Sequence, residues 1–140
     1  MKTLKINFAL LVLLTVPFFA FAQPAEKTVV KAFNLQGSHA LHLDLAGEVE
    51  VKTWEQPFTR VQLTIQLENG TDAMLKSLVK VGRYNLIGNS NGDQFSITMP
   101  NTRKTVSVGG SELIERFSYI VFVPDAVQVT NAQDASVSLK

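Results

Sequence analysis

The sequence predicts a mostly β domain, arranged as a β-sheet or β-solenoid-like stack or as a sandwich, with one short helix and an N-terminal export leader. Three observations predict it. Apolar residues recur with period two from Thr28 onward, most cleanly where Val61, Leu63, Ile65 and Leu67 alternate with Gln62, Thr64, Gln66 and Glu68. Breaks at Gly37-Ser38, Asn69-Gly70, Gly92 and Gly109-Gly110 divide these runs into strand-length pieces. Beyond the leader, only one segment changes to a helical period.

The leader occupies residues 1–22. Lys2 and Lys5 form a short basic start, and Ile6 to Phe21 is apolar apart from Asn7 and Thr15. Ala20-Phe21-Ala22 then supplies the small residues that precede signal-peptidase cleavage, placing the new N-terminus at Gln23. The apolar run is short for a bilayer-spanning helix, and Pro17 breaks it near its end. The expectation is therefore an exported protein of the periplasm or cell surface, with no transmembrane anchor after cleavage. A lipid anchor on cysteine is excluded because the chain has none.

Removing the leader leaves 118 residues, the size of one ordinary domain with room for a core. Of 13 basic and 12 acidic residues, Lys2 and Lys5 leave with the leader, so the remainder has a formal net charge of −1. Such a balance offers no electrostatic footprint for nucleic acid. Without cysteine, disulfides, thiolate metal sites and thiol nucleophiles are all excluded.

Along this remainder, residues 23–27 read as a flexible lead-in containing Pro24, and residues 28–140 as a single β-rich domain. Val30, Ala32 and Leu35 mark a first strand. Leu41, Leu43 and Leu45 alternate with His42 and Asp44. Val49 and Val51 then point inward, with Glu50 and Lys52 outward. After the Val61 to Leu67 strand, Thr71 or Asp72 caps a helix that gathers Met74, Leu75, Leu78 and Val81 on one face and ends at Gly82. Tyr84 and Leu86 lead into a hairpin signal at Asn89-Ser90-Asn91-Gly92, followed by Phe95, Ile97 and Met99. Val106 and Val108 form a short strand closed by Gly109-Gly110. The run from Phe117 to Val123 is apolar on both faces, which places it centrally in a sheet or under two covers. Val127 and Val129, then Ala135, Val137 and Leu139, complete the alternation.

The corner between Leu45 and Val49 constrains topology. A two-residue turn at Ala46-Gly47 would set Leu45 opposite Glu48 on one face, a mismatched register. A three-residue hairpin would instead oppose Asp44 and Glu50, a like-charge pair. A corner that lets the two strands pair with other strands fits better.

The alternation from Leu41 through Gly47 and Val51 to Trp54, followed by the Val61 strand, the short helix and a Phe117 to Pro124 strand ending in proline, resembles the bacterial putative-adhesin families of unknown function, the group with GIN-type adhesin heads. That resemblance implies a β-solenoid-like domain in which the segment after the proline begins a stack of Gly-x-Val-x-Val rungs. Here residues 127–140 supply at most one rung, with Ala135 where the glycine would fall, as in a short member.

Candidates for chemistry are sparse. His42 and Asp44 share an outward strand face, while His39 falls on the leucine-bearing face by the same alternation, so three zinc ligands do not converge. No Gly-x-Ser-x-Gly elbow exists, and Asn89, Asn91 and Asp93 lack the glycine and closing glutamate of a calcium loop. No cofactor, metal or catalytic residue is expected, and the protein is read as no enzyme. The expected work is that of an adhesin-like or structural scaffold of the bacterial envelope, binding a protein or envelope partner, including another copy through an edge strand. The competing reading is a periplasmic carrier of a small apolar ligand or lipid, which would need an apolar pocket of roughly 300 Å³ or more. The candidate partner surface is Trp54, His42, Asp44, Val137 and Leu139, with Trp54 placed either outward or over the end of the core.

Overall fold

A computed structural model describes residues 23–133. Ten strands are present: β1 (Ala25–Phe33), β2 (Ala40–Asp44), β3 (Glu48–Trp54), β4 (Thr59–Leu67), β5 (Ile87–Asn91), β6 (Gln94–Thr98), β7 (Ser107–Val108), β8 (Ser111–Glu112), β9 (Glu115–Pro124) and β10 (Gln128–Asn131). One α-helix, α1 (Asp72–Lys80), follows β4, and a 3-10 turn spans Pro100–Arg103. The first sheet has the order β1-β4-β9-β3 and the second β10-β2-β6-β5, while β7 and β8 form a small hairpin of their own. The fold is thus mostly β, two four-stranded sheets sharing one core.

Alternation decides what lies in that core. Val61, Leu63, Ile65 and Leu67 of β4 are fully buried, as are Val121 and Val123 beside them on β9. From the second sheet, Leu41, Leu43 and Ile97 meet them in the same cluster. Burying each of these side chains contributes roughly 1.5–3 kcal/mol, and no disulfide supplements it. The strand β9 is internal in its sheet, as its doubly apolar sequence requires.

The corner works as the register argument demands. β2 pairs in parallel with β10 and β6, whereas β3 pairs in parallel with β9 in the other sheet. The chain crosses between sheets at Ala46-Gly47, and Gly47 has φ +124° with its α-carbon pressed on the Phe117 carbonyl, where a Cβ would lie 2.3 Å from the oxygen. A second crossing after Pro124 leads to β10. No stack of further rungs follows among the described residues.

Several local expectations are corrected. β1 begins at Ala25, so Ala25, Glu26 and Lys27 are strand rather than lead-in. Its phase is also opposite to the expected one: Ala25, Val29 and Phe33 share the core side, and Val30 is 56% exposed. The reason is Lys31, which occupies the core side of an edge strand by setting its Nζ over the Phe33 ring, 5.3 Å from the ring centre, and donating from it to the Leu86 carbonyl at 2.6 Å. Val51 does face the core side, but it stays 42% exposed because β3 is an edge. Val81 lies beyond the helix as its C-cap and is exposed, leaving Leu75 as the buried anchor of α1. Tyr84 and Leu86 are buried within a turn and loop rather than a strand, because the helix exit takes them inward. The reversal into β6 falls at Gly92-Asp93, and Asn89 to Asn91 belong to β5.

Thr71 caps α1, its Oγ1 accepting from the Met74 N–H at 3.2 Å. At the other end Gly82, at φ +81°, lets the Gly82 and Arg83 N–H groups return to the Val79 and Leu78 carbonyls, both at 3.1 Å. That exit turns Arg83 straight into the protein.

Candidate functional site

The outward face of the first sheet carries a compact aromatic and cationic cluster. Residues with the same parity across paired strands share a face, so Lys52 on β3, Phe122 on β9 and Arg60 on β4 form one row on that face. Trp54, two residues beyond Lys52, joins them. Its ring lies 5.2 Å from that of Phe122 and 4.9 Å edge-on from that of Phe58. The indole Nε1 donates to the Phe58 carbonyl at 2.8 Å, which fixes the ring's orientation. Trp54 therefore faces outward and is half-buried by its own neighbours.

Arg60 completes the cluster. Its guanidinium carbon sits 4.9 Å from the Trp54 ring centre and 4.6 Å from that of Phe122. Its Nε is buried there without a hydrogen-bond partner. The other three described arginines each have a carboxylate: Arg83 with Glu115, Arg103 with Asp44, and Arg116 with Glu68. Among the described residues no carboxylate pairs with Arg60. A planar cation resting beside two aromatic rings, with its charge uncompensated, is suited to receive a carboxylate or another flat anion.

His42 and Asp44 lie on the outward face of the second sheet and so belong to a different surface from Trp54. His42 Nδ1 is 3.1 Å from Thr130 Oγ1, and Asp44 Oδ2 accepts from Arg103 at 2.6 Å. His39 is not on the leucine-bearing face; it precedes β2 in an exposed bend, where the pleat has not yet begun. No group of three or more metal-ligating side chains gathers among the described residues. Val137 and Leu139 lie outside the described residues. The candidate surface read from sequence is thus divided, and the structure groups Trp54 instead with Phe58, Arg60 and Phe122. Spacing held a signal for part of this group, since Phe58 and Arg60 follow Trp54 closely and Phe122 occupies the non-core parity of β9.

A buried polar cluster escaped the sequence reading entirely. Arg83 donates from Nε and Nη2 to the two Glu115 oxygens at 2.7 and 2.6 Å, from Nη1 to the Asn101 carbonyl at 3.1 Å and from Nη2 to the Lys104 carbonyl at 2.9 Å. Tyr84 donates its hydroxyl to Glu115 Oε1 at 2.6 Å. Burial pulls the Glu115 carboxyl upward, but the hydrogen bonds from Arg83 and Tyr84 and the Arg83 charge outweigh it and hold it below its ordinary value. The Tyr84 hydroxyl is pushed up, first by burial and then by its bond to Glu115. Every member is committed to a partner, so the cluster locks the helix exit to β9.

Two hollows mark the surface. One of about 770 Å³ opens on the outward face of the first sheet, lined by Ala46, Gly47 and Phe117 together with polar residues that include Thr64, Gln66, Glu115 and Arg116. The other, about 260 Å³, lies between β1 and α1 beside Glu26, Lys27, Asp72 and Lys76. Both mix apolar and polar walls, Phe117 and Ala46 in the first and Leu75 in the second. No helix of the described residues is long and apolar enough to cross a membrane.

No model of a known protein family matches this chain, and no curated protein matches it. Among solved structures, it is similar to the crystal structure of a putative cell adhesion protein from Clostridium sporogenes ATCC 15579, with a TM-score of 0.42 and 9% sequence identity. The match covers 78% of this chain and 46% of that one, so this chain spans less than half of its neighbour's length.

Proposed function

We propose that this protein is an exported, non-catalytic β scaffold of the bacterial envelope that binds a protein or envelope partner in an adhesin-like role. The observation that carries the reading is Arg60, resting against both Trp54 and Phe122 on an outward sheet face and unmatched by any carboxylate of the described residues. Trp and Arg are the residue types that most often dominate binding surfaces, and here they are already held in place before a partner arrives. The leader at residues 1–22 supports export, with the chain beginning at Gln23 after cleavage.

The test compares binding of the exported protein to intact bacteria and to isolated envelope fractions with that of Trp54→Ala and Arg60→Ala. Saturable binding that falls at least about tenfold in both variants is expected, the loss typical of a central anchor. Equal binding by all three proteins refutes the assignment of this face. A lipid recovered in stoichiometric amount from the native protein refutes the scaffold itself.

A further inference from the structure

The chain contains two Asn-Gly steps, Asn69-Gly70 and Asn91-Gly92, and the structure treats them differently. Such a step is chemically labile because the glycine nitrogen can close on the asparagine carboxamide, and glycine carries no side chain to obstruct the approach. Both asparagines are exposed, so access of water does not separate them.

Asn69 is held. Its Nδ2 donates to the Glu112 carbonyl at 2.8 Å, and its Oδ1 accepts from the Ile114 N–H at 2.8 Å. The carboxamide thereby ties the end of β4 to the chain around β8, with its nitrogen and its oxygen both engaged. Gly70 is packed as well: a Cβ there would lie 2.8 Å from Leu67 Cδ1 and 3.2 Å from the Met74 sulfur. Ring closure at this step would break both hydrogen bonds and drive the glycine against its neighbours.

Asn91 is not held in this way. It ends β5 and pairs with Gln94 across a turn of Gly92 and Asp93, with Gly92 at φ +62°. Among the described residues its carboxamide has no hydrogen-bond partner, and neither has the Gly92 N–H. A Cβ built on Gly92 meets nothing within 4 Å, so the turn has room to move. The restraint that remains is the pairing with Gln94, since closure needs the asparagine to leave its extended geometry. That pair is the last of its ladder, and β5 is the outer strand of its sheet, so it opens without disturbing the core.

We propose that Asn91 is a site of self-modification, converted in the folded chain to aspartate and isoaspartate, while Asn69 is preserved. The Gly92 nitrogen attacks Asn91 Cγ and forms a new C–N bond. The Cγ–Nδ2 bond breaks, and the amide proton leaves with Nδ2 as ammonia. Solvent water then opens the resulting cyclic imide at either carbonyl. Opening at Cγ gives aspartate, and opening at the main-chain carbonyl gives isoaspartate, whose main chain is longer by a methylene. The net exchange is ammonia for water, with no oxidation or reduction. Either product sets a new negative charge near Asp93, and isoaspartate no longer fits the pairing with Gln94.

The experiment ages the chain recovered after export at physiological temperature in mildly alkaline buffer, then maps both steps by peptide mass spectrometry. Fragmentation that distinguishes aspartate from isoaspartate reads the two products. In the folded chain Asn91 should convert at least about tenfold faster than Asn69, the suppression expected where two hydrogen bonds must break first. In urea the two steps should react at similar rates, because each is the same Asn-Gly. Asn91→Gln has a side chain too long to close the same ring and should remove the product, with circular dichroism unchanged. Folded Asn69 reacting as fast as Asn91 overturns the proposal. So does a folded Asn91 that stays intact while the unfolded chain converts. A preference for Asn91 that persists undiminished in urea overturns it too, since the structure would then not be its cause. Asn91 lies on the second sheet, so none of these outcomes bears on binding through Trp54 and Arg60.

Discussion

Arg83 and Glu115 face each other through two parallel hydrogen bonds, with side chains only 7% and 10% exposed. The pair joins the turn after α1 to the first residue of β9, 32 positions away. A buried pair of this kind contributes little net stability over an apolar replacement, but removing one partner leaves the other charge stranded.

Replacement of Arg83 by Met should therefore destabilise the fold by about 3–5 kcal/mol, measured by urea unfolding near neutral pH. The pH dependence carries a sign that separates the two proteins. In the wild type Glu115 ionises more readily folded than unfolded, so its contribution is complete above the ordinary value of 4.5 and declines as pH falls through that value and below. In Arg83→Met, burial dominates and raises the carboxyl, so stability should instead improve as pH falls toward 4.5. Parallel acid profiles for the two proteins would contradict the pairing.

Gly47 makes the second prediction. With φ at +124° and the Phe117 carbonyl in the place of a Cβ, Gly47→Ala requires both a strained backbone and displacement of β9. A loss of about 3 kcal/mol or more is expected, read as a shift in denaturant midpoint. Ala46→Gly, at the exposed neighbouring position, is the matched control and should cost under about 1 kcal/mol.

How far the sequence carried depends on whether one strand or two determined a position. β4 was legible because its four apolar residues and their polar intermediates admit one phase only. β1 was not, because Val29 and Val30 are adjacent and Lys31 can occupy a core-side position only at an edge, with the Leu86 carbonyl in reach. The Leu45 to Val49 corner was legible since both hairpin registers produced a clash of kind or charge. Neither Arg83 with Glu115 nor Arg60 with Phe122 could be read, for each pair is formed by strands or turns brought together only in the folded chain. Trp54 could be placed outward only once Phe122 was known to share its face.

Arg60 tests how that outward face is balanced. Stacking on Trp54 and Phe122 contributes about 0.5–1 kcal/mol for each ring at an exposed site. Against this, burying Nε without a partner costs about 1–3 kcal/mol. The two nearly cancel, so Arg60→Met, which keeps an apolar stem over both rings, should change stability by less than about 1 kcal/mol. Arg60→Ala removes the cover as well and should cost more, about 1–2 kcal/mol. Trp54 is the only tryptophan, and its emission reports the same difference directly. A red shift is expected in Arg60→Ala and little change in Arg60→Met. If Met costs as much as Ala, the charge rather than the stem holds the cluster together. The unpartnered guanidinium would then be a fixed part of the fold, not a group held ready for a partner's carboxylate.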